Sequence, residues 1–380
     1  MRPSVAIICP DYPPRPGGVA DYTALLAGEL AFYADVQVIT SAGTQKPAAP
    51  VRAQYVNDWQ DEAALFSLLD ALPPETSLLW QYVPHMYGHG GVAPVIPRLL
   101  ARLRTGRHPC QVVSAHEIAA PWSLLPNRFL YAWAHRQQWR KIVSAADAVV
   151  TSTEAWRNEW QAKMPAHKNK FSYAASPSTI PLVPVMSQAK LRQEWRRSRG
   201  WDDDTLVLGW FGTASAAKQL DWVLAAQKHA QSLGRPVALI LIGKAGEIAR
   251  EQNSPWIQST GYVEALAVSQ ILFSIDLLLL PFIDGVSERR TSFMAGLAHG
   301  TPVATTIGPN TGPTLREANI CSQTVANDPA DFLLRTTELL ADPEMRRSMG
   351  ERGRAFYKDR YDWSVVTGHL LTLLALKGPR

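Results

Sequence analysis

Two arginines at the mouth of a small-sided helix are the clearest chemistry in this sequence. Within residues 280–303 a leucine-rich run passes into the polar loop Asp284, Gly285, Val286, Ser287, Glu288, Arg289 and Arg290, and Ser292 opens an apolar stretch of small residues. Guanidinium groups beside a helix N-terminus bind phosphate or carboxylate, because their donor fork and the first-turn N–H groups converge on one anion. A solvated arginine pair is the plain alternative. Lys218 holds a comparable place, after Trp210-Phe211-Gly212-Thr213 and near the next helix start, where an ammonium can neutralise a diphosphate or merely meet water. Gly17 and Gly18 lie where the first helix should begin. There they either let backbone amides approach a phosphate or sugar, or serve a turn that needs glycine. His116 and Glu117 end the fourth strand-like run, and Tyr82 and His85 belong to an aromatic, histidine and glycine segment, 81–91, suited to covering a sugar or to being an ordinary loop. Gly243 and Tyr262 mark two further strand-end turns with the same two readings.

Such residues need a frame that gathers strand ends. Short apolar runs alternate with longer amphipathic segments along the whole chain, the rhythm of βα units that build a parallel sheet. Residues 5–9, 36–40, 78–82, 111–115 and 148–152 read as strands of a first series. Residues 206–212, 237–243, 277–282 and 302–306 read as a second series, rich in Leu, Val and Ile as strands buried on both faces are. A proline-rich stretch, 176–184, followed by the charged segment 190–199, is the linker candidate between them. The sequence therefore predicts an α/β chain of two doubly wound domains: residues 1–184, residues 185–357, and a last helix, 358–380. Ligands of such sheets sit at the carboxyl ends of the strands, and two such edges facing one cleft would hold a phosphorylated ligand.

Composition excludes several alternatives. The 380 residues are 46% hydrophobic and 19% charged, which rules out a disordered chain and a mini-protein in need of staples. Lys and Arg (38) exceed Asp and Glu (33), which allows attraction to phosphate or anionic lipid and does not imply nucleic acid. Cys9, Cys110 and Cys321 have no paired spacing, in keeping with a reducing compartment and no zinc site. The N-terminus lacks an export signal, and the longest apolar run, 271–283, is too short and too broken to span a bilayer, so the sequence reads as a soluble or peripheral cytoplasmic protein. There is no phosphate-loop motif, no nucleophile elbow and no H-E-x-x-H helix. Residues 128–141 mix aromatic and basic side chains. The reading adopted is a half-buried helix whose arginines reach past apolar neighbours to water, with docking at an anionic membrane as the alternative.

Taken in order, Pro16-Gly17-Gly18-Val19, His116-Glu117, Val150-Thr151-Ser152-Thr153-Glu154, Phe211-Gly212 with Lys218, Leu241-Ile242-Gly243, Thr260-Gly261-Tyr262-Val263, Asp276 with Leu280-Pro281-Phe282, and Ala298-His299-Gly300-Thr301-Pro302-Val303 resemble the retaining glycosyltransferases of family 4. The resemblance covers nearly the whole chain. It implies a GT-B fold, with a nucleoside-diphosphate sugar (NDP-sugar) held mainly by the C-terminal domain and an acceptor held mainly by the N-terminal one. It also implies a final helix near 363–376 returning to the first domain. His116, Lys218 and Arg290 become the catalytic candidates. Gly17, Gly18, Gly212, Thr213, Gly243, Tyr262, Asp284, Gly285, Val286, Ser287, Glu288, Arg289 and Ser292 become donor contacts, and Tyr82, His85 and Glu117 face the acceptor. No metal or separate cofactor is implied, since basic side chains and helix N-termini can stabilise a leaving diphosphate. Whether that nucleotide is UDP or GDP is left open.

One departure bears on the donor site. The two glutamates that the family carries eight positions apart fall on Ser287 and Ala295, and Glu288 stands one position from the first. The expected activity is retaining transfer of a hexose to a glycan or lipid-linked acceptor, as in bacterial surface polysaccharide synthesis. The departure motivates one rival, a catalytically silent GT-B protein that binds a nucleotide sugar or glycan; a second, an NDP-sugar epimerase on the same fold, needs acid and base groups in the cleft, and the Ser287 and Ala295 positions argue against it.

Overall fold

Apolar runs that alternate with helices become two parallel sheets in the computed structural model. It describes residues 2–15, 17–106, 108–183 and 185–375. Pro16, Pro184 and Leu376, which figured in the reading above, lie outside these. The chain divides into two compact units. Unit 1 comprises the residues up to Ala175 together with those from Trp363 onward, and unit 2 is Ser176–Asp362.

Unit 1 holds strands β1 (Ser4–Ile8), β2 (Asp35–Ser41), β3 (Arg52–Val56), β4 (Thr76–Tyr82), β5 (Gln111–Ala115), β6 (Ala148–Thr151) and β7 (Phe171–Tyr173). They lie in the order β3-β2-β1-β4-β5-β6-β7, every pairing parallel. Unit 2 repeats the plan with β8 (Leu206–Phe211), β9 (Val237–Ile242), β10 (Ile257–Gly261), β11 (Leu277–Leu280), β12 (Val303–Ile307) and β13 (Ser322–Val325), in the order β10-β9-β8-β11-β12-β13. The strand order reverses between β1 and β4 in one sheet and between β8 and β11 in the other. These are the topological switch points where doubly wound sheets open a crevice at the strand carboxyl ends.

Burial explains why these segments are strands. β4 and β9 are buried along their entire length, β4 between two apolar layers. One layer includes Leu99, Trp139 and Ile142; the other includes Leu26, Leu30 and, from the last helix (Trp363–Leu373), Val366 and Leu370. The chain thus returns to unit 1 after completing unit 2. Residues 176–183 are not a free linker. Ser178 N donates to the Tyr357 hydroxyl (3.0 Å) and Ser176 N to Glu288 O (2.9 Å), which fastens this stretch to unit 2.

A charged triad supports β8 and β11 from their amino ends. Asp276 accepts from Arg192 (2.5 Å), Arg196 (2.6 Å) and the Val207 N–H (2.7 Å). Burial raises its carboxyl, and the two guanidinium groups outweigh that and hold it below the ordinary range. Among the described residues no helix is long and apolar enough to cross a membrane.

Candidate functional site

At the switch point of unit 2, the turn after β8 places a lysine against a glycine. Gly212 has φ 146°, and a Cβ there would occupy the position of the Lys218 Nζ, so only glycine leaves the ammonium its place. Gly243, φ 104°, closes the neighbouring strand end. Its Cβ would strike the Gly212 carbonyl, and its N–H donates to Gly261 O (3.1 Å). The loop after β11 is drawn to the same place by Ile283 N, which donates to Ala217 O (3.1 Å).

That loop delivers the arginines. Arg290 is the N-cap of the buried helix Thr291–His299, whose first turn no side chain caps. Its guanidinium pairs with Asp284 and lies 4.5 Å from the Phe282 ring centre, while its Nε is buried without a partner. Asp284 is held in turn by Asn310 Nδ2 (2.6 Å), and Gly285, φ 84°, lets this turn pack against Gly308. Lys218 makes no ion pair among the described residues. Its Nζ stands 5.4 Å from the Trp210 ring centre, and burial, with the Arg290 charge adding to it, brings its pKa down to about 8. Two cations that disfavour one another, only one of them paired with a carboxylate, form an anion site that the protein leaves electrostatically incomplete.

The rest of that loop turns inward. Val286, Ser287 and Glu288 are fully buried and Ser292 nearly so. With these side chains turned inward, what the loop offers a ligand at Val286, Ser287, Glu288 and Ser292 is its backbone. Ala295 is likewise buried in the helix packed beneath. Thr213 is exposed, and Tyr262, at the end of β10, is 79% exposed and open to a flat ligand.

Unit 1 builds a different edge. Gly17 caps the helix Gly18–Leu30 with φ 169°, extended backbone that any residue adopts. A Cβ at Gly17 or Gly18 would meet nothing within 4 Å. Neither strain nor crowding calls for glycine here, which removes the plain-turn reading and leaves open space beside uncapped helix N–H groups. His116 continues β5 and donates its backbone N–H to Tyr82 O (2.9 Å). Its Nε2 is 2.6 Å from Gln81 Oε1, which can only accept, so the proton sits on Nε2 and Nδ1 is left as an acceptor. Tyr22 meets the ring edge to face (4.8 Å) and is itself tilted against Trp363 (5.2 Å). Burial brings His116 down to about 4, which keeps the imidazole neutral.

The residues expected on the acceptor side differ in exposure. His85 and Glu117 are exposed. Tyr82 is not at a surface: its ring stacks on Trp139 (5.4 Å) and its hydroxyl accepts from Gln138 Nε2 (3.0 Å), so it is a core residue. The residues that hold these side chains in place, Gln81, Tyr22 and Trp363 around His116 in unit 1 and Phe282 and Asn310 around Arg290 and Asp284 in unit 2, lay outside the expected set. The Gln81 side chain reaches His116 only because β4 and β5 register Gln81 with Ser114 and Tyr82 with Ala115.

Solved structures of known proteins share this frame. Sucrose-phosphate synthase from Thermosynechococcus elongatus superposes with a TM-score of 0.73 at 14% identity, covering 98% of both chains. The fold is GT-B. HepE of Anabaena, in complex with UDP and glucose, gives a TM-score of 0.67 at 13% identity over 98% of this chain and 99% of its own. WaaG, a glycosyltransferase involved in lipopolysaccharide biosynthesis, gives 0.67 at 14% identity over 97% and 99%. No protein-family model matches the chain, and no curated protein sequence does. At these identities GT-B describes two Rossmann-like domains, and the site must speak for the chemistry.

Proposed function

We propose that this GT-B chain transfers a hexose from an NDP-sugar to a hydroxyl of a glycan or lipid-linked acceptor, with retention at the anomeric carbon. The observation that carries the reading is the Lys218 ammonium, without an ion pair among the described residues and crowded by Arg290 at the switch point of unit 2. A diphosphate supplies the missing negative charge. Charge grows on that diphosphate as the glycosidic bond breaks, and a placed cationic donor stabilises such charge by about 3 kcal/mol. Neutral His116, with Nδ1 free to accept from a sugar hydroxyl, orients the sugar and takes no part as an acid. With retention, the acceptor hydroxyl attacks on the face that the diphosphate leaves, and a departing phosphate oxygen takes its proton.

The donor class also agrees with the UDP and glucose bound by HepE, and the acceptor class with the lipopolysaccharide role of WaaG. The setting belongs to the same proposal: a cytoplasmic enzyme in surface polysaccharide synthesis, meeting an anionic membrane peripherally. The test is release of UDP or GDP from a panel of NDP-sugars, with and without glycan acceptors, beside thermal shifts with the free nucleotides. Acceptor-dependent release from one donor is expected. Stabilisation by a nucleotide with no turnover across the panel would instead make this a binding protein, and no stabilisation by any nucleotide would remove the donor site.

A further inference from the structure

Between β5 and the middle of the helix Pro126–Ala145, unit 1 shows water an apolar surface it could have hidden. Trp122, Leu124, Leu125, Phe129, Leu130 and Trp133 are all exposed, Leu124 completely and Leu130 by 61%. Single exposed apolar residues are ordinary, whereas a cluster of large ones marks a contact surface. The cluster is fastened in place. The opposite face of the same helix buries Ala132, His135, Trp139 and Ile142, and Arg136 donates to Ala120 O (2.9 Å) and Ala132 O (2.8 Å). The Arg136 guanidinium also covers the Trp122 ring (4.1 Å), and Trp122 rests against Phe129 (5.1 Å), so the loop is pinned to the helix.

Charge decides what the surface fits. No Asp or Glu occurs between Glu117 and Asp147, while Arg128, Arg136, Arg140 and Lys141 all fall in that span, and Arg128, Arg140 and Lys141 are exposed. A second copy of this chain would set these cations against their own kind. Anionic phospholipid answers both halves of the pattern: tryptophan, phenylalanine and leucine tips enter the boundary between headgroups and acyl chains, and basic side chains stay with the phosphates. We infer that residues 122–141 are a preformed docking surface for an anionic bilayer. The inference gives a place to the membrane contact in the proposed function and rests on that reading for its purpose.

The experiment is co-sedimentation of the full chain with vesicles of phosphatidylcholine alone or containing roughly one-third phosphatidylglycerol, at low and high salt. Binding to the anionic vesicles is expected, at least about tenfold stronger than to the neutral ones and weakened by salt. The double variant Leu124→Asp/Leu130→Asp should lower that binding about tenfold or more with an unchanged melting temperature, because both side chains are already in water. Arg140→Gln/Lys141→Gln should weaken it less and flatten its salt dependence. Absence of pelleting with anionic vesicles overturns the inference, as does pelleting that the Leu124/Leu130 variant leaves intact. A dimer that the same variant dissociates would assign the surface to self-association and overturn it too. Thermal shifts with UDP and GDP on the same samples keep the two readings apart. A retained shift without lipid binding removes the docking surface alone, and lipid binding without a shift removes the donor site alone.

Discussion

The carboxyl edges of the two sheets share a topology and differ in their electrostatic state. In unit 2, Lys218 and Arg290 crowd one another and Asp284 answers only the arginine. In unit 1 the comparable place is neutral: His116 is uncharged, bonded to Gln81 through Nε2 and packed against Tyr22. An edge that carries uncompensated charge gains most from an anion, whereas a neutral edge can discriminate by shape and hydrogen bonding. The same fold, used twice, thus yields one edge with uncompensated positive charge and one that is neutral.

The largest effect expected from breaking this contrast is at Lys218. Lys218→Met should cost on the order of 100-fold in turnover or donor affinity, yet raise stability by about 1–3 kcal/mol, since an unfavourably placed charge is removed. Loss of function with a lower melting temperature would contradict the picture of an incomplete site. Arg290→Ala should also cost about 100-fold but without the gain in stability, because Asp284 then loses its ion-pair partner and keeps only Asn310. His116→Asn should lower turnover while leaving the thermal shift with free nucleotide unchanged.

The pH responses of the two edges should also separate. Lys218 is charged below about 8, so diphosphate affinity stays level up to that pH and falls above it. Its folded value lies below its ordinary 10.5, so between the two the unfolded chain holds the extra proton and this group's contribution to stability rises with pH. His116, near 4 against an ordinary 6.5, stays neutral at physiological pH, and its contribution to stability is lost as pH falls from 6.5 toward 4. A rate profile with an inflection near 6.5 that His116→Asn abolishes would show the imidazole to be charged after all. The smallest change expected in folding is at Gly17→Ala, within about 0.5 kcal/mol, since its Cβ meets nothing. A fall in donor affinity from so silent a substitution would place a ligand against that helix end. Gly212→Ala, by contrast, should disturb both the backbone and Lys218.

The interior of each sheet was legible in the sequence and the margins were not. The strands that runs of Val, Ile and Leu identified are the inner ones. The four given no range from sequence, β3, β7, β10 and β13, of which only the turn after β10 was marked, are the outermost strands of their sheets, half-exposed and so without a continuous apolar run. Site residues followed the same logic. His116, Lys218 and Arg290 could be named because each follows a readable strand. Gln81 and Tyr22 could not be paired with His116, because that meeting depends on strand register and helix packing. Tyr82 shows the opposite error, since a strand-end tyrosine looks available until Trp139 covers it.

Because unit 1 is interrupted in sequence by unit 2, the order of synthesis differs from the order of the fold. All seven strands of the first sheet leave the ribosome before Ser176, but the helix that completes that sheet's second apolar layer begins only at Trp363. Unit 2 is whole by then. The ring that backs Tyr22, and through it His116, is therefore made only after unit 2, and a chain stopped at Asp362 would carry Lys218 and Arg290 in a finished unit 2 while Tyr22 lacked its backing ring.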